Sequence, residues 1–332
     1  MTDISIIIVN FRGWPRLAQC LDSLAAIRDS RFSFEVLIVD NNSGDGFLEK
    51  FRELYPGFNF ILNDGNLGFA NGCNLGAKNS RGLFLLFLNP DTIVSADALL
   101  GLLSEVRVRK LYSIVSCRQV RENGSEERPF GRFPLLTTIT GWMRALTKIV
   151  MPGQLHPFPE TEEYIYPDWV SGSVVMISRE SFLALSGWDE DFWMYFEDVD
   201  LCRRARLKNG EIVLLKNVCV EHNHGGASRI NREVTALTKT EVKISRHVYI
   251  SKHEKGTYAF CLHFFLIINH LVLGIVPAII GILIFFVNKF SALSQIYFKL
   301  LGYYLDSLFR GTWLSRRSVN YRFRNRKAEM FN

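Results

Sequence analysis

The first 117 residues of this chain are constrained most by a rhythm in which short apolar runs alternate with helix-length stretches. "ISIIIV" (4–9), "FEVLIVD" (34–40), "FNFILN" (58–63), "LFLLFLN" (83–89) and "LYSIVSC" (111–117) read as strands. Helices are expected from Pro15 to Ile27, near 46–54, near 70–79 and from Ser95. Strands that are apolar on both faces and alternate with helices predict an α/β domain with a mostly parallel, doubly wound sheet. Such sheets bind ligands beyond the carboxyl ends of their strands. Asp40, Asn89 and Asp91 fall at such ends.

Residues 118–166 lose this rhythm and read as loops over the sheet. "WVSGSVVMIS" (169–178) restores a strand, "RESFLALSG" (179–187) a short helix, and "EIVLLKNVCVEHNHGGAS" (211–228) two short strands with a His/Gly turn. Between them "WDEDFWMYFEDVDLCRRARLKNG" mixes acids with aromatics ahead of a helix. The six cysteines include no C-x-x-C pair and read as buried thiols of a reducing compartment. No signal peptide precedes the first strand.

Residues 258–287 carry no Asp, Glu, Lys or Arg, and 30 such residues exceed the roughly 20 that cross a hydrocarbon core. His263, Asn269, His270 and Pro277 interrupt a simple span, so a kinked span and a re-entrant pair broken near Gly274–Pro277 both remain open. The following "LSQIYFKLLGYYLDSLF" suits the membrane interface. From Arg310 onward seven basic residues face one acid, so this tail accounts for the whole net charge of +6. A basic face for nucleic acid is therefore not expected, whereas a basic tail at the cytoplasmic surface of a membrane is. The expected organisation is a catalytic domain over 1–230, a connecting helix over 231–257, a transmembrane or re-entrant segment over 258–288, and an amphipathic helix with a basic tail over 289–332.

Local chemistry narrows the function. "VNFRGWP" after the first strand lacks the G-x-G-x-x-G of a dinucleotide site, although Asp40 ends the second strand. In "LNPD", Pro90 disfavours helical backbone at Asn89, which keeps the strand extended and directs Asp91 outward. As a plain turn, N-P-D would let Asp91 bond its own backbone.

"VNF" (9–11), "VDNNSGDG" (39–46), "NLGFANGCNLG" (66–76), "LNPD" (88–91), "WVSGS" (169–173), "DEDFWMYFEDVDLCRR" (189–204) and "HNHGGAS" (222–228) occur in order. Together, over about residues 3–230, they resemble the family 2 glycosyltransferases of GT-A fold, in the rhamnosyltransferase-like branch. The C-terminal membrane-associated helices also look like that branch's extension. The resemblance implies a nucleotide-diphosphate sugar donor, contacted by Val9, Asn10, Asp40, Asn42, Asn66, Gly68, Asn71, Asn74, Asn89, Asp91, Trp169 and Gly172, with Gly72 in the same turn. It implies a divalent metal, Mg2+ or Mn2+, on Asp91 with His222 or His224; Asn89 replaces the first acid of the family's D-x-D. Asp198 matches the base that deprotonates the acceptor hydroxyl in an inverting displacement, beside Glu197 and Asp200, and the aromatics of "WDEDFWMYF" would floor a sugar subsite. The implied acceptor is a polyprenyl-linked or envelope glycan, reached from the cytoplasmic face of the inner membrane. dTDP-L-rhamnose leads among donors, with UDP-hexoses and UDP-N-acetylhexosamines as alternatives. An inactive nucleotide-sugar-binding protein and a membrane scaffold or transporter are the rival classes.

Overall fold

The computed structural model describes residues 2–151, 157–223, 231–284 and 286–321. They fall into two compact units, Met1–Phe133 with Phe158–Glu190 and Glu197–Ala227, and Pro134–Pro157 with Asp191–Phe196 and Ser228–Asn332.

The first unit is built on a nine-stranded sheet. In chain order its elements are β1 (Ile4–Asn10), α1 (Trp14–Ala25), β2 (Phe34–Asp40), α2 (Phe47–Leu54), β3 (Asn59–Leu62), α3 (Phe69–Lys78), β4 (Phe84–Leu88), β5 (Thr92–Ile93), α4 (Ala96–Val108) and β6 (Ile114–Val120). A short β7 (Phe130–Gly131) follows; α5 (Gly141–Val150) belongs to the second unit. The first unit resumes with β8 (Tyr164–Ile165), β9 (Trp169–Val170), β10 (Val174–Ser178), α6 (Arg179–Ala184), α7 (Glu197–Leu207) and β11 (Ile212–His222). The strand order is β3-β2-β1-β4-β10-β6-β11-β5, with β8 against β11.

Strands β3, β2, β1 and β4 run parallel, as the both-faces-apolar pattern requires; all seven residues of β1 are buried. Alternate side chains serve two cores. Ile4, Ile6 and Ile8 meet Leu17 and Leu21 of α1 and Leu99 and Leu102 of α4, whereas Ile7 and Val9 meet Ala70 and Cys73 of α3. Helix α3 lies close to β1 because a Cβ at Gly76 would stand 2.5 Å from Ile7 Cγ2, and one at Gly72 would stand 2.8 Å from Val9 Cγ1. Gly72 thus serves helix packing, not the ligand-side turn expected of it.

Three local differences from the sequence reading matter. The 169–178 run divides at Ser171–Ser173 into β9 and β10, and β10 runs antiparallel to both β4 and β6. The two strands expected in 211–228 form one continuous β11, with a register shift between Leu215 and Cys219 where it pairs with β6. Cys219 is exposed, unlike the buried Cys20, Cys73, Cys117 and Cys202.

The second unit is helical: α8 (Arg232–His253), α9 (Gly256–Ile267), a π turn over Ile268–Val272, α10 (Ile275–Leu283) and α11 (Asn288–Arg310). Asn231 caps α8 by accepting from Val234 N–H at 2.9 Å. Among the described residues one helical stretch, Gly256–Leu283, is long and apolar enough to cross a membrane, with mean hydropathy 2.4 and 22% of its most apolar window buried. Two histidines inside it have partners. His263 Nδ1 lies 2.8 Å from His247 Nδ1, and His270 Nδ1 lies 2.7 Å from the Tyr304 hydroxyl, which also meets His247 Nε2 at 2.8 Å.

Candidate active site

Four consecutive parallel strands end in side-chain amides or a carboxylate on one edge: Asn10 closes β1, Asp40 closes β2, Asn63 follows β3 and Asn89 follows β4. Asp40 is buried and accepts from Ser43 N–H at 3.0 Å and from its hydroxyl at 2.5 Å, which closes the 40–43 turn. Asn42 is exposed in the left-handed region, φ 60°. Asn10 Oδ1 accepts from Gly13 N–H at 3.1 Å, while its buried Nδ2 has no partner among the described residues. That donor is available to an acceptor arriving with a nucleotide.

The amides around α3 are occupied. Asn41 Nδ2 donates to the Gly68 carbonyl (2.9 Å), and Asn63 Nδ2 donates to Asn41 Oδ1 (2.9 Å) and Asn71 Oδ1 (2.8 Å). Asn71 Nδ2 and Asn74 Nδ2 both donate to the Glu190 carboxylate at 2.9 Å, and Asn74 also holds Trp188 through its backbone. Asn71 and Asn74 therefore anchor the 188–190 turn. Gly68 takes φ 97° as α3 begins, and Asn66 lies just before it, half-buried.

At the end of β4, Asp91 Oδ1 lies 3.2 Å from His222 Nε2. His222 is buried on the last residue of β11, and its Nδ1 faces two acceptors, Gln119 Oε1 at 2.8 Å and Glu127 Oε2 at 3.4 Å. Nδ1 thus lies between two acceptors, and Nε2 stands beside the Asp91 carboxylate. Asn89 Nδ2 lies 3.4 Å from Nε2. A ring nitrogen and a carboxylate at 3.2 Å are joined by a shared proton or by a cation between them. Two ligand atoms at right angles on Mg2+ stand about 3 Å apart, so Asp91 and His222 fit one divalent ion. The N–H that His222 directs at Gln119 and Glu127 is the outer support such a ligand needs. Among the described residues no group of three or more His, Cys, Asp or Glu is set to hold a metal, so these two would share an ion with ligand oxygens. His224 lies outside the described residues.

Asp198 is brought to the same place by the turn at Ser171–Ser173. Gly172 N–H donates to Asp198 Oδ2 at 3.0 Å, and Val199 N–H donates to Oδ1 at 2.8 Å. The next residue of the turn reaches the metal pair: the Ser173 carbonyl accepts from Asn89 N–H at 2.9 Å, and its hydroxyl donates to Gln119 Oε1 at 2.9 Å. An unbroken chain of contacts therefore runs Asp198, Gly172, Ser173, Gln119, His222, Asp91.

Burial raises the Asp198 carboxyl above its ordinary range, against the two backbone N–H groups that lower it. Glu197 is raised well above its usual value, by burial first and then by the charges of Asp198 and Asp200. Its Oε2 is buried without a partner among the described residues. Asp200 is spent on Arg204 one turn along α7, at 2.7 Å. Of the three acids expected to be catalytic, Asp198 alone is half-buried and unpaired with a cation.

Of the aromatics expected to floor a sugar subsite, three face the core, whereas Tyr195 and Phe196 are half-buried. Trp188, Phe192 and Trp193 are buried, and Trp188 packs edge-on against Phe87 at 5.0 Å and Phe69 at 5.7 Å. Trp169 donates its indole N–H to the Arg132 carbonyl at 2.8 Å and packs on Gly131. Gln119, Glu127, Ser173 and Glu190 complete the constellation, although no motif marks the first two.

A mostly parallel sheet with helices on both faces is the architecture of the GT-A fold. Residues 5–160, just under half of the chain, match Glycosyl transferase family 2, and with the relatives below this makes the protein a glycosyltransferase. It is 27% identical over 218 residues to the rhamnosyltransferase WbbL of Escherichia coli, covering 61% of this chain and 77% of that one. It is 25% identical over 281 residues to the N-acetylglucosaminyl-diphospho-decaprenol L-rhamnosyltransferase of Mycobacterium tuberculosis, covering 78% and 84%. Among solved structures, a mannosyltransferase from Pyrobaculum calidifontis in complex with GDP-Man and Mn2+ shares the fold at TM-score 0.51, 15% identity and 91% and 76% coverage.

Proposed function

We propose that the protein is a metal-dependent, inverting glycosyltransferase that moves a sugar from a nucleoside-diphosphate donor to a polyprenyl-linked envelope glycan. L-Rhamnose from dTDP-rhamnose is the donor favoured by the similarity to two rhamnosyltransferases. The observation that carries the reading is the Ser171–Ser173 turn, which holds Asp198 on one side and the Asn89–Asp91–His222 cluster on the other.

Asp91 and His222 would hold Mg2+ or Mn2+. When bound, that ion neutralises the charge that develops on the departing nucleoside diphosphate. Gln119 and Glu127, beside His222 Nδ1, hold the ring in place. Asp198 accepts the proton of the acceptor hydroxyl as that oxygen attacks the anomeric carbon; attack opposite the leaving group inverts the centre. The raised carboxyl brings its affinity for a proton nearer to that task. The apolar stretch 256–283 would anchor the enzyme at the cytoplasmic face of the inner membrane, which raises the local concentration of a lipid-bound acceptor.

Thermal-shift measurements of the full-length protein in detergent with nucleoside diphosphates test this. Stabilisation by dTDP, UDP or GDP only when Mn2+ is present is the expected result, and its loss in Asp91→Asn locates the site. No response to any nucleotide overturns the reading.

A further inference from the structure

Outside the candidate active site, α8 carries three cations with no ion pair among the described residues. Lys239, Lys243 and Arg246 recur at spacings of four and three, which sets them along one helix face. Arg144 of α5 lies close enough to Arg246 to act on it electrostatically, and Arg246 itself donates to the Ile139 carbonyl at 3.4 Å. None of the four forms an ion pair among the described residues. Glu241, on the same helix, is engaged elsewhere: it accepts from the Ser315 hydroxyl at 3.2 Å and lies 3.8 Å from Arg317.

Lys243 and Arg246 are half-buried rather than extended into solvent. Burial, then repulsion from Arg246 and Lys239, pulls Lys243 down to about 8. Lys239 and Arg144 are exposed at the edge of this pair, and the Arg246 guanidinium lies 5.9 Å from the Phe196 ring centroid. Two like charges held together half out of water are unfavourable unless an anion completes the site. The same two cations lie within electrostatic reach of His270, inside the apolar stretch 256–283. A compact anion joined to a long apolar chain would meet both features at once.

We propose that Lys239, Lys243, Arg246 and Arg144 form a subsite for the diphosphate that joins a polyprenyl chain to its glycan. The proposal rests on the acceptor reading above. Guanidinium and ammonium groups together bind the several oxygens of a diphosphate by charge-assisted hydrogen bonds. The half-buried Lys243 and Arg246 distinguish this from a diffuse layer of anionic headgroups, which exposed side chains such as Lys239 and Arg144 could meet by themselves.

Farnesyl diphosphate is the probe, titrated in EDTA so that no metal recruits it, against the full-length protein in neutral detergent. Lys243→Gln/Arg246→Gln is expected to weaken binding by about tenfold or more, the loss of even one charge-assisted hydrogen bond. Mn2+-dependent nucleotide binding and sedimentation with phosphatidylglycerol vesicles should stay unchanged. Lys243→Arg/Arg246→Lys should bind within about threefold of the parent. Unchanged farnesyl diphosphate binding overturns the proposal, as does an equal loss in the charge-conserving pair. Loss of vesicle binding alone assigns the cations to the membrane surface and also overturns it. If neither parent nor variant binds a nucleotide, the transferase reading fails while the diphosphate result is scored separately.

Discussion

Asp198→Asn separates catalysis from architecture at one side chain. Both carboxylate oxygens accept backbone N–H groups, from Gly172 at 3.0 Å and Val199 at 2.8 Å. Asparagine can accept only one, and its NH2 then faces the other N–H. That mismatch costs about 1–3 kcal/mol, offset because a neutral amide escapes the burial penalty that raises the carboxyl. A net change within about 2 kcal/mol moves the melting temperature by at most about 8 °C for a unit of this size. Loss of the base lowers kcat by about 10²–10⁴, or roughly 2.7–5.4 kcal/mol of barrier. The assay follows nucleotide release at saturating donor and acceptor, beside thermal melts and Mn2+-dependent nucleotide binding of the same sample. In the parent, kcat/KM should rise with pH through a carboxyl displaced upward from the ordinary range, and that acid limb should vanish in the variant. A kcat within tenfold of the parent, with fold and donor binding intact, would refute the assignment of the base.

Gln119→Leu removes the acceptor of both the His222 ring N–H and the Ser173 hydroxyl. Affinity for Mn2+ should fall by about 10–100-fold although no proposed ligand is altered, measured by Mn2+ titration of the nucleotide-dependent thermal shift. Glu197→Gln should gain stability relative to the parent as pH rises. The folded state holds the Glu197 proton more tightly than the unfolded chain, so this group's contribution is present below about 4.5 and is lost as pH climbs through its raised folded value. Denaturation midpoints from pH 4 to 8 read the difference, and parallel curves for the two proteins would refute it.

The sheet was legible because parallel strands covered on both faces need continuous apolar runs, and β1, β2 and β4 have them. The direction of β10 was not, since "VVMIS" reads the same whichever way it runs; pairing with β4 and β6 decides it. Asp91 stood out as a carboxylate at a strand end, whereas the sequence offered both His222 and His224 beside it and favoured His224, which lies outside the described residues. Gln119 escaped notice because a lone glutamine on a strand has no distinguishing spacing. The hydrogen bonds of Asn71 and Asn74 to Glu190 were not legible, because composition does not show which partner an amide faces. The burial of Trp188, Phe192 and Trp193 escaped for the same reason: a ring that stacks on sugar and a ring that fills a core are the same letter.

Strand β6 finishes, and β10 starts, at one rim of the sheet, with Val174 opposite Leu88. The chain between them is thus an excursion whose departure and return points are neighbours. Its two ends carry Glu127, beside His222, and Gly172 and Ser173, which grip Asp198 and Asn89, so only the stretch between those ends can be lengthened, shortened or exchanged without displacing the site. Such a segment is where a transferase can change its customer while keeping its machinery, and grafting it between relatives is a route to new acceptors.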